Sequence, residues 1–439
     1  MSWLQRYHVR LYLRNSIWVL PALSIPAALF TVALVVRIDH AFGWQMNISP
    51  DTARSIMSTI AGSMFTLVVL VSSTVLVAVQ LASAQLTPRI IALIYRNPFR
   101  KLALALFIFT FTFSVAVLVR IEDRVPLVTA YLAAYGFLLN LALFLLFIDG
   151  MGKTLRPISA FRSVGLAARE IIHTVYPSAL KEGDPAPGEI GMRLNGHPRT
   201  VRSMEDGAVL AFHRKGLMAL AVKSNTVIEL MPEVGDFIAA GDPLFRIYEG
   251  GGDLTDGALQ DLVAIGHERT LEQDPLFAFR IIVDIANKAL SPAVNDPTTA
   301  VLAIDQIHHL LRDIGNRYLA EGYERDATGK LRLIYRTPNW EDFVRLGITE
   351  IRQYGDESIQ VQRRLRAMLE NLIETLPARR APVLQKELAL LTTSSKRSFP
   401  DLDDQNLAEA ADLQGIGGNY DEMPDNKPSL NEAHANRLK

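Results

Sequence analysis

The densest group of polar side chains lies between residues 267 and 300, where charged and amide residues alternate with apolar ones. Carboxylates and imidazoles there could bind a cation, whereas the arginines and the lysine could bind an anion or a nucleotide phosphate. A cation site would use His267, Glu268, Asp284 and Asp296, and an anion site Arg269, Arg280 and Lys288. The group is completed by Asp274, Asn287 and Asn295.

Part of this group has a simpler structural explanation. Arg280 and Asp284 are one helical turn apart, so we expect a local ion pair between them. Asp296 precedes Pro297, an order that predicts a helix N-cap whose carboxylate accepts bonds from amides near Thr298 and Thr299. The spacing therefore favours a structural network or a subunit interface over a ligand site, and catalysis ranks last.

Motifs of established chemistry are missing from the sequence. No P-loop, Rossmann glycine pattern, GxSxG or HExxH motif occurs. The adjacent His308 and His309 would diverge by about 100° on a helix and could not easily share one metal ion. The sequence therefore predicts no metal site and no cofactor, and it argues against an enzyme. A net charge of -1 gives no support for a nucleic-acid partner.

A second polar pattern lies inside a long apolar segment. Hydroxyl and amide side chains recur there at spacings of three, four or seven residues, which place them on one stripe of a helix. In a bilayer such groups must face neighbouring helices or water. They would either line an aqueous path between subunits or permit close helix packing. The stripe consists of Thr59, Ser63, Thr66, Ser73 and Gln80.

The elements that position these residues begin with four apolar runs, at about 17–36, 57–79, 102–119 and 126–148. Each supplies roughly the 20 residues that a helix needs to cross about 30 Å of hydrocarbon. None of the four runs contains Asp, Glu, Lys, Arg or His. The predicted fold class is an α-helical integral membrane protein with four transmembrane helices and a cytoplasmic α+β region. The lack of intramembrane charge disfavours a proton-coupled carrier or a voltage sensor.

Positive charge flanks the runs unevenly, and such charge is typical of cytoplasmic loops. The basic residues before the first run and between the second and third runs are Arg6, Arg10 and Arg14, then Arg89, Arg96, Arg100 and Lys101. The other two loops are acidic or mixed. We therefore expect a multi-pass protein of the bacterial inner membrane with both termini in the cytoplasm.

The rest of the chain changes character several times. Short β-rich runs between turn residues predict a small barrel-sandwich-like module, and helical periodicity returns after it. The end of the chain is polar and acidic, which is typical of disorder. The expected organisation is a membrane domain at 1–156, a helix and linker at 157–189, a β-module at 190–250, a helical domain at 251–397 and a disordered acidic tail at 398–439. Helices are expected near 254–272, 275–290, 297–316, 340–353, 356–376 and 379–391, with a strand at 331–336.

Three segments occur in the same order as in a known family. They are SAQLTPRII at 83–91, GDFIAAGDPL at 235–244 and VDIANKALSPAVNDPTTA at 283–300. With the four apolar runs, they make the chain resemble a bacterial family of predicted membrane proteins of unknown function, domain of unknown function 2254. The resemblance implies location in the bacterial inner membrane and supplies no activity or functional residue.

The hydroxyl stripe suggests a homo-oligomeric ion channel or pore lined by the second transmembrane helix, with a regulatory cytoplasmic domain. The alternative is a membrane-anchored scaffold or ligand sensor without transport, and a membrane-bound enzyme is third. The expected partners are the lipid bilayer, further copies of the chain and a small ion or small-molecule ligand.

Overall fold

The four apolar runs form long helices. The computed structural model describes residues 2–44, 46–122, 125–154, 156–185, 197–320 and 322–418. All four helices are long and apolar enough to cross a membrane, which confirms the predicted spans. The first six helices are α1 (Trp3–Asn15), α2 (Val19–Phe42), α3 (Pro50–Gln85), α4 (Ile91–Arg96), α5 (Pro98–Arg120) and α6 (Leu127–Thr154), with a 3₁₀ turn at Pro88–Ile90 before α4.

The membrane domain, formed by α2, α3, α5 and α6, packs around α5, which contacts the other three helices. Phe107 and Phe113 of α5 are buried in the interior of this bundle. Asn140 of α6 donates across it to the carbonyl of Leu106, at 3.3 Å. Asp39, buried near the end of α2, accepts a hydrogen bond from the backbone N–H of Thr129, at 3.0 Å, in the first turn of α6. Both residues thus form hydrogen bonds between helices, while Asn140 Oδ1 has no hydrogen-bond partner among the described residues.

The second half of the chain forms an extramembrane domain of helices and two small sheets. Its helices are α7 (Pro157–Val175), α8 (Arg214–Lys223), α9 (Asp256–Gln260), α10 (Pro275–Ala289), α11 (Pro297–Gly315), α12 (Trp340–Tyr354), α13 (Ile359–Thr375), α14 (Ala381–Ser398) and α15 (Leu402–Ala408), with a 3₁₀ turn at Ala378–Arg380. The helix α10 packs against α7, α11 and α12. Its Phe279 contacts Phe343 of α12, with ring centroids 5.3 Å apart. Most of α10 is therefore buried at the centre of the domain.

The strands are β1 (Arg199–Arg202), β2 (Gly207–Phe212), β3 (Val227–Leu230), β4 (Phe237–Ile238), β5 (Pro243–Tyr248), β6 (Val263–Gly266), β7 (Tyr323–Arg325) and β8 (Leu331–Tyr335). They form a five-stranded sheet in the order β1-β5-β3-β8-β7 and a three-stranded sheet in the order β4-β2-β6. The strand β8 runs parallel to β3, with Ile228 opposite Leu333. The other strand pairs are antiparallel.

These sheets differ from the separate β-module predicted at 190–250. The described part of that module, from 197 onward, is completed by β6, β7 and β8 from the segment predicted to form the helical domain, in which β8 confirms the strand expected at 331–336. The helix expected near 254–272 is also wrong, because only α9 forms there and β6 follows it. The strand β2 is buried along its whole length, so both of its edges need backbone partners. The strands β4 and β6 supply them.

The structure also differs from the predicted disordered tail. Residues 398–418 include α15 and a turn in which the Asp412 carboxylate accepts from the N–H of Gly415 at 2.9 Å and Gly417 at 2.8 Å. Arg363 of α13 donates to the carbonyl of Ala410 at 3.1 Å. Amino-acid composition does not show such hydrogen bonds, of which the one from Arg363 is long-range. They order a polar segment that has no apolar core of its own. Residues 419–439 lie outside the described part of the chain.

Candidate functional site

The predicted polar segment lies where the extramembrane domain meets the membrane domain. A cavity of about 880 Å³ lies between α1, the turn and helix after α3, the loop after β6, and α10. We call it the junction cavity. Four arginines line it, Arg89, Arg96, Arg269 and Arg280, together with one carboxylate, Glu268.

Arg280 is the centre of an ionic network beside this cavity. Its Nε donates to Asp284 Oδ1 at 2.6 Å, so the predicted local pair is confirmed. Its Nη1 and Nη2 donate to the two carboxylate oxygens of Glu350 on α12, at 2.5 and 2.7 Å. Asn287 also donates to Glu350, at 2.7 Å. The Arg280 hydrogen bonds, with Asn287, hold the pKa of Glu350 below its usual range despite partial burial.

Two contacts join this network to the end of α3. Arg89, in the turn after α3, forms an ion pair with Asp284. Lys288 donates from Nζ to the carbonyl of Ser83, at 3.0 Å, two residues before α3 ends. Two segments that are about 200 residues apart in the sequence, 83–91 and 283–300, therefore touch in the structure.

The remaining predicted residues serve more local roles. Asp296 caps α11, with its Oδ1 accepting from the N–H of Thr299 at 3.0 Å, which confirms the predicted cap. Asp274 caps α10 by accepting from the N–H of Phe277, and burial raises its pKa to about 6. Asn295 has a left-handed backbone, with φ of 47°, and its exposed side chain precedes the cap.

The proposed cation site is not assembled. His267 and Glu268 are exposed on the loop after β6, whereas Asp296 caps a different helix. Within the described ranges, no three His, Asp or Glu side chains are grouped closely enough to hold a metal ion. His308 bonds to Asn371 at 2.9 Å. The arginines and the cavity, rather than the carboxylates, are thus the features of this segment that could bind a ligand.

Two carboxylates outside the predicted set, Glu272 and Glu350, also belong to the site. Glu272 pairs with Arg14 of α1 at 3.0 Å and with Arg96 of α4 at 3.1 Å, so it links the extramembrane domain to the base of the membrane domain. Glu350 reaches Arg280 from another helix. Partners this remote leave no spacing signal in the sequence.

The predicted stripe on α3 faces away from the bundle. All five of its side chains are exposed in the protomer. The buried residues Met57, Met64, Val71 and Ala78 mark the side of α3 that packs on the bundle. Thr59, Thr66, Ser73 and Gln80 each follow one of these by two residues, which is about 200° around a helix. The stripe therefore lies on the exposed side of α3.

The stripe residues differ in how their polar atoms are satisfied. Thr59 donates to the carbonyl of Ser55 at 2.9 Å, and Thr66 donates to that of Gly62 at 3.1 Å. Among the described residues, the side chains of Ser63, Ser73 and Gln80 have no hydrogen-bond partner. A polar group without a partner is costly in hydrocarbon, so this face of α3 needs water, headgroups or another protein surface.

The same helix continues into the extramembrane core. Its 36 residues rise about 54 Å, well beyond the roughly 30 Å of hydrocarbon. Near its end, Ala82 and then Leu86 and Ile90 are buried with residues of α7 and α10. The end of α3 is therefore part of the extramembrane core.

Comparison with known proteins gives a family and no activity. The model of a family described as Predicted membrane protein (DUF2254) matches residues 14–371. An uncharacterized protein of Mycobacterium tuberculosis and one of Mycobacterium bovis are each similar to this chain, with 26% identity over 429 residues. The alignments cover 91% of this chain and 80% of each relative. No solved structure matches the chain.

Proposed function

The chain belongs to this family of predicted membrane proteins, and from that premise we propose that it forms a homo-oligomeric ion channel in the bacterial inner membrane. The second membrane helix, α3, lines the path. The observation that carries the proposal is the polar stripe on the face of α3 that points away from its own bundle. Copies arranged around an axis would bring these stripes together.

This arrangement satisfies groups that a single protomer leaves without partners. If one protomer stood alone in lipid, Ser63 and Ser73 would face hydrocarbon. Around a shared water-filled path, hydroxyls can instead replace part of an ion's hydration shell. No charged residue occurs between 57 and 79, so the path would present weak dipoles to a passing ion rather than a strong binding site.

The extramembrane domain is proposed to lie in the cytoplasm and to control the position of α3. Lys288 and the Arg89–Asp284 pair hold the end of α3 against α10. The ionic network around Arg280 in turn joins α10 to α12. Rearrangement of these helices would tilt or rotate α3 as a rigid rod, because its last turns are part of the extramembrane core.

Flux measurements on the purified protein in liposomes test the channel. Replacing Ser63, Thr66 and Ser73 together with Leu should abolish flux, because leucines would exclude water from the path. Flux of K⁺ and of Cl⁻ is measured separately, since the stripe does not fix the sign of the ion. The matched control is Ser72→Leu. Ser72 is exposed on the same helix, about 100° away from Ser73, and donates to the Val68 carbonyl at 2.8 Å.

Cross-linking tests the assembly in the same membranes. The chain contains no cysteine, so a single Cys at Ser73 provides one unique thiol per protomer. A short bifunctional thiol reagent should join copies of Ser73→Cys and leave Ser72→Cys mostly monomeric. Unchanged flux in the triple leucine variant, with its oligomer intact, would refute α3 as the lining helix.

The junction cavity favours the second candidate function, a membrane-anchored ligand sensor without transport. Its volume of about 880 Å³ is typical of a ligand pocket. Absence of K⁺ and Cl⁻ flux from the wild-type protein, together with ligand binding that shifts the conformation of the extramembrane domain, would support this function in place of the channel.

A further inference from the structure

We propose that the junction cavity binds an anionic amphiphile, with its phosphate held by Arg89, Arg96 and Arg269 and its apolar part against the wall formed by α1 and α10. The site does not depend on whether the protein conducts ions. Three features of the cavity support this ligand class: the charge of its wall, its apolar lining and its position beside the membrane.

The wall of the cavity is rich in guanidinium groups. The carboxylates that pair with them, Glu272, Asp284 and Glu350, are not part of the lining. Glu268 is the one carboxylate in the lining against four arginines, so the wall of the cavity carries an excess of positive charge. Burial, and after it the nearby charges of Arg280 and Arg269, lower the pKa of Arg89.

These arginines also have N–H donors that make no contact among the described residues. Each guanidinium carries five N–H groups. Arg89 contacts Asp284 through Nη1, and Arg269 contacts the carbonyl of Gly235 through Nη2. Arg96 uses Nε for Asn15 and Nη2 for Glu272. Within the described parts of the chain, one or more nitrogens of each arginine remain open to a ligand. Forked guanidinium donors match the oxygens of a phosphate.

The remainder of the cavity suits an apolar group. A free phosphate ion would occupy only a small part of a volume of about 880 Å³. Leu11 of α1, Ile91 and Ala92 of α4, and Phe277 of α10 line the space beside the arginines. Burying hydrocarbon against such side chains is favourable. The combination of arginines and an apolar wall therefore suits an anionic amphiphile.

The cavity also lies next to the bilayer. It is bounded by α1, which leads into the first membrane span, and by the segment that joins α3 to α5. On the outer side of α1, Val9, Tyr12 and Leu13 are exposed by 45%, 54% and 48%. Exposed apolar side chains on a basic helix are typical of a helix that lies at the headgroup level. A phospholipid of that leaflet could reach the arginines with its headgroup.

Binding is tested on the full-length protein in a neutral detergent, with native mass spectrometry to count bound molecules. The probes are short-chain phosphatidylglycerol, short-chain phosphatidylcholine and inorganic phosphate. Wild-type protein should bind phosphatidylglycerol, with much weaker binding of the other two. Arg269→Gln should weaken this binding about tenfold or more, which is the loss expected for a charge-assisted hydrogen bond. Its exposed side chain donates to a loop carbonyl, and Asp274 keeps its bond to the N–H of Phe277 in the variant, so folding should survive.

Two further variants keep the result interpretable. Ala92 is an exposed residue of the cavity wall, so the indole of Ala92→Trp should occupy the cavity without changing its charge. This variant should also abolish binding. Arg156→Gln makes the same charge change as Arg269→Gln at an exposed site before α7, outside the cavity, and should leave binding unchanged. Equal affinity for the two lipids, or an equal loss in Arg156→Gln, would overturn the proposal. Stronger binding of inorganic phosphate than of lipid would assign the site to a soluble anion instead.

Discussion

The pair between Arg280 and Glu350 should be a measurable link between α10 and α12. It is a bidentate contact, with the two N–O distances at 2.5 and 2.7 Å. The two side chains are 24% and 39% exposed, so water weakens the interaction but does not replace it. We consider the variants Arg280→Gln, Glu350→Gln and the double variant, which together form a double-mutant cycle.

The expected coupling free energy between Arg280 and Glu350 lies between two limits. Hydrogen bonds to charged groups contribute about 1.5–3 kcal/mol when well shielded, and exposed ion pairs about 0.2–1 kcal/mol. Because Glu350 is more than a third exposed, the Coulombic part must be discounted for solvent screening, and we expect a coupling of about 1.5 kcal/mol. In a domain of this size, 1 kcal/mol shifts Tm by about 2–4 °C. The cycle should therefore show a coupling of about 3–6 °C.

The assay is thermal unfolding of the extramembrane domain within full-length protein in which Trp3, Trp18 and Trp44 are replaced with Phe in every variant. Unfolding is followed by the fluorescence of Trp340, which is buried in that core. The matched control is the Arg345–Glu341 pair of α12, at 2.7 Å but with both side chains more than half exposed. Its cycle should show a coupling of less than about 2 °C. Equal coupling in the two cycles would refute the argument that partial burial strengthens the Arg280–Glu350 contact.

The same pair has a definite pH dependence. Hydrogen bonds from Arg280 are the main reason that the pKa of Glu350 is lowered. A carboxylate with a lowered folded-state pKa stabilises the protein above its unfolded-state pKa, near 4.5, and this stabilisation is lost as pH falls through the folded value. The coupling should therefore be constant near neutral pH and decline below about pH 4.5.

Two further predictions concern single side chains. Asp296→Ala should lower stability by about 1 kcal/mol because the N–H of Thr299 loses its acceptor, whereas Asp296→Asn should retain most of the cap, as measured by Tm. Glu233→Gln should flatten the pH dependence of stability. Burial raises the pKa of Glu233 to about 7, so the folded wild type binds a proton more tightly than the unfolded chain. The free energy of unfolding of the wild type therefore falls by up to about 3 kcal/mol as pH rises from 4.5 through 7. Equal losses of Tm between pH 5 and 8 in wild type and Glu233→Gln would contradict this reasoning.

Several features of the site were accessible from the sequence because they are local. The Asp296–Pro297 cap and the Arg280–Asp284 pair depend on residues at most four positions apart. Their geometry is fixed once a helix forms. The same holds for the membrane spans, since the length of an apolar run decides whether a helix can cross a bilayer.

Other features of the protein could be recognised only in the tertiary structure. Glu350 reaches Arg280 across 70 residues, and no spacing rule indicates which helix faces which. The strand β8 joins β3 across about 100 residues. The sequence therefore predicted a strand at 331–336 without showing that it pairs with the module at 190–250. The ordered turn at Asp412 was likewise hidden, because its partner Arg363 lies on another helix.

The stripe on α3 shows what the sequence determines and what only the tertiary structure determines. The sequence by itself determined that Thr59, Ser63, Thr66, Ser73 and Gln80 share one face of a membrane helix, because the helical repeat is fixed by backbone geometry. Only the tertiary structure decided that this face points away from the chain's own bundle, because the packing of α5 selects which side of α3 is buried. The tertiary structure also joined the end of α3 to α10, since such a contact depends on the position of segments that are remote in sequence.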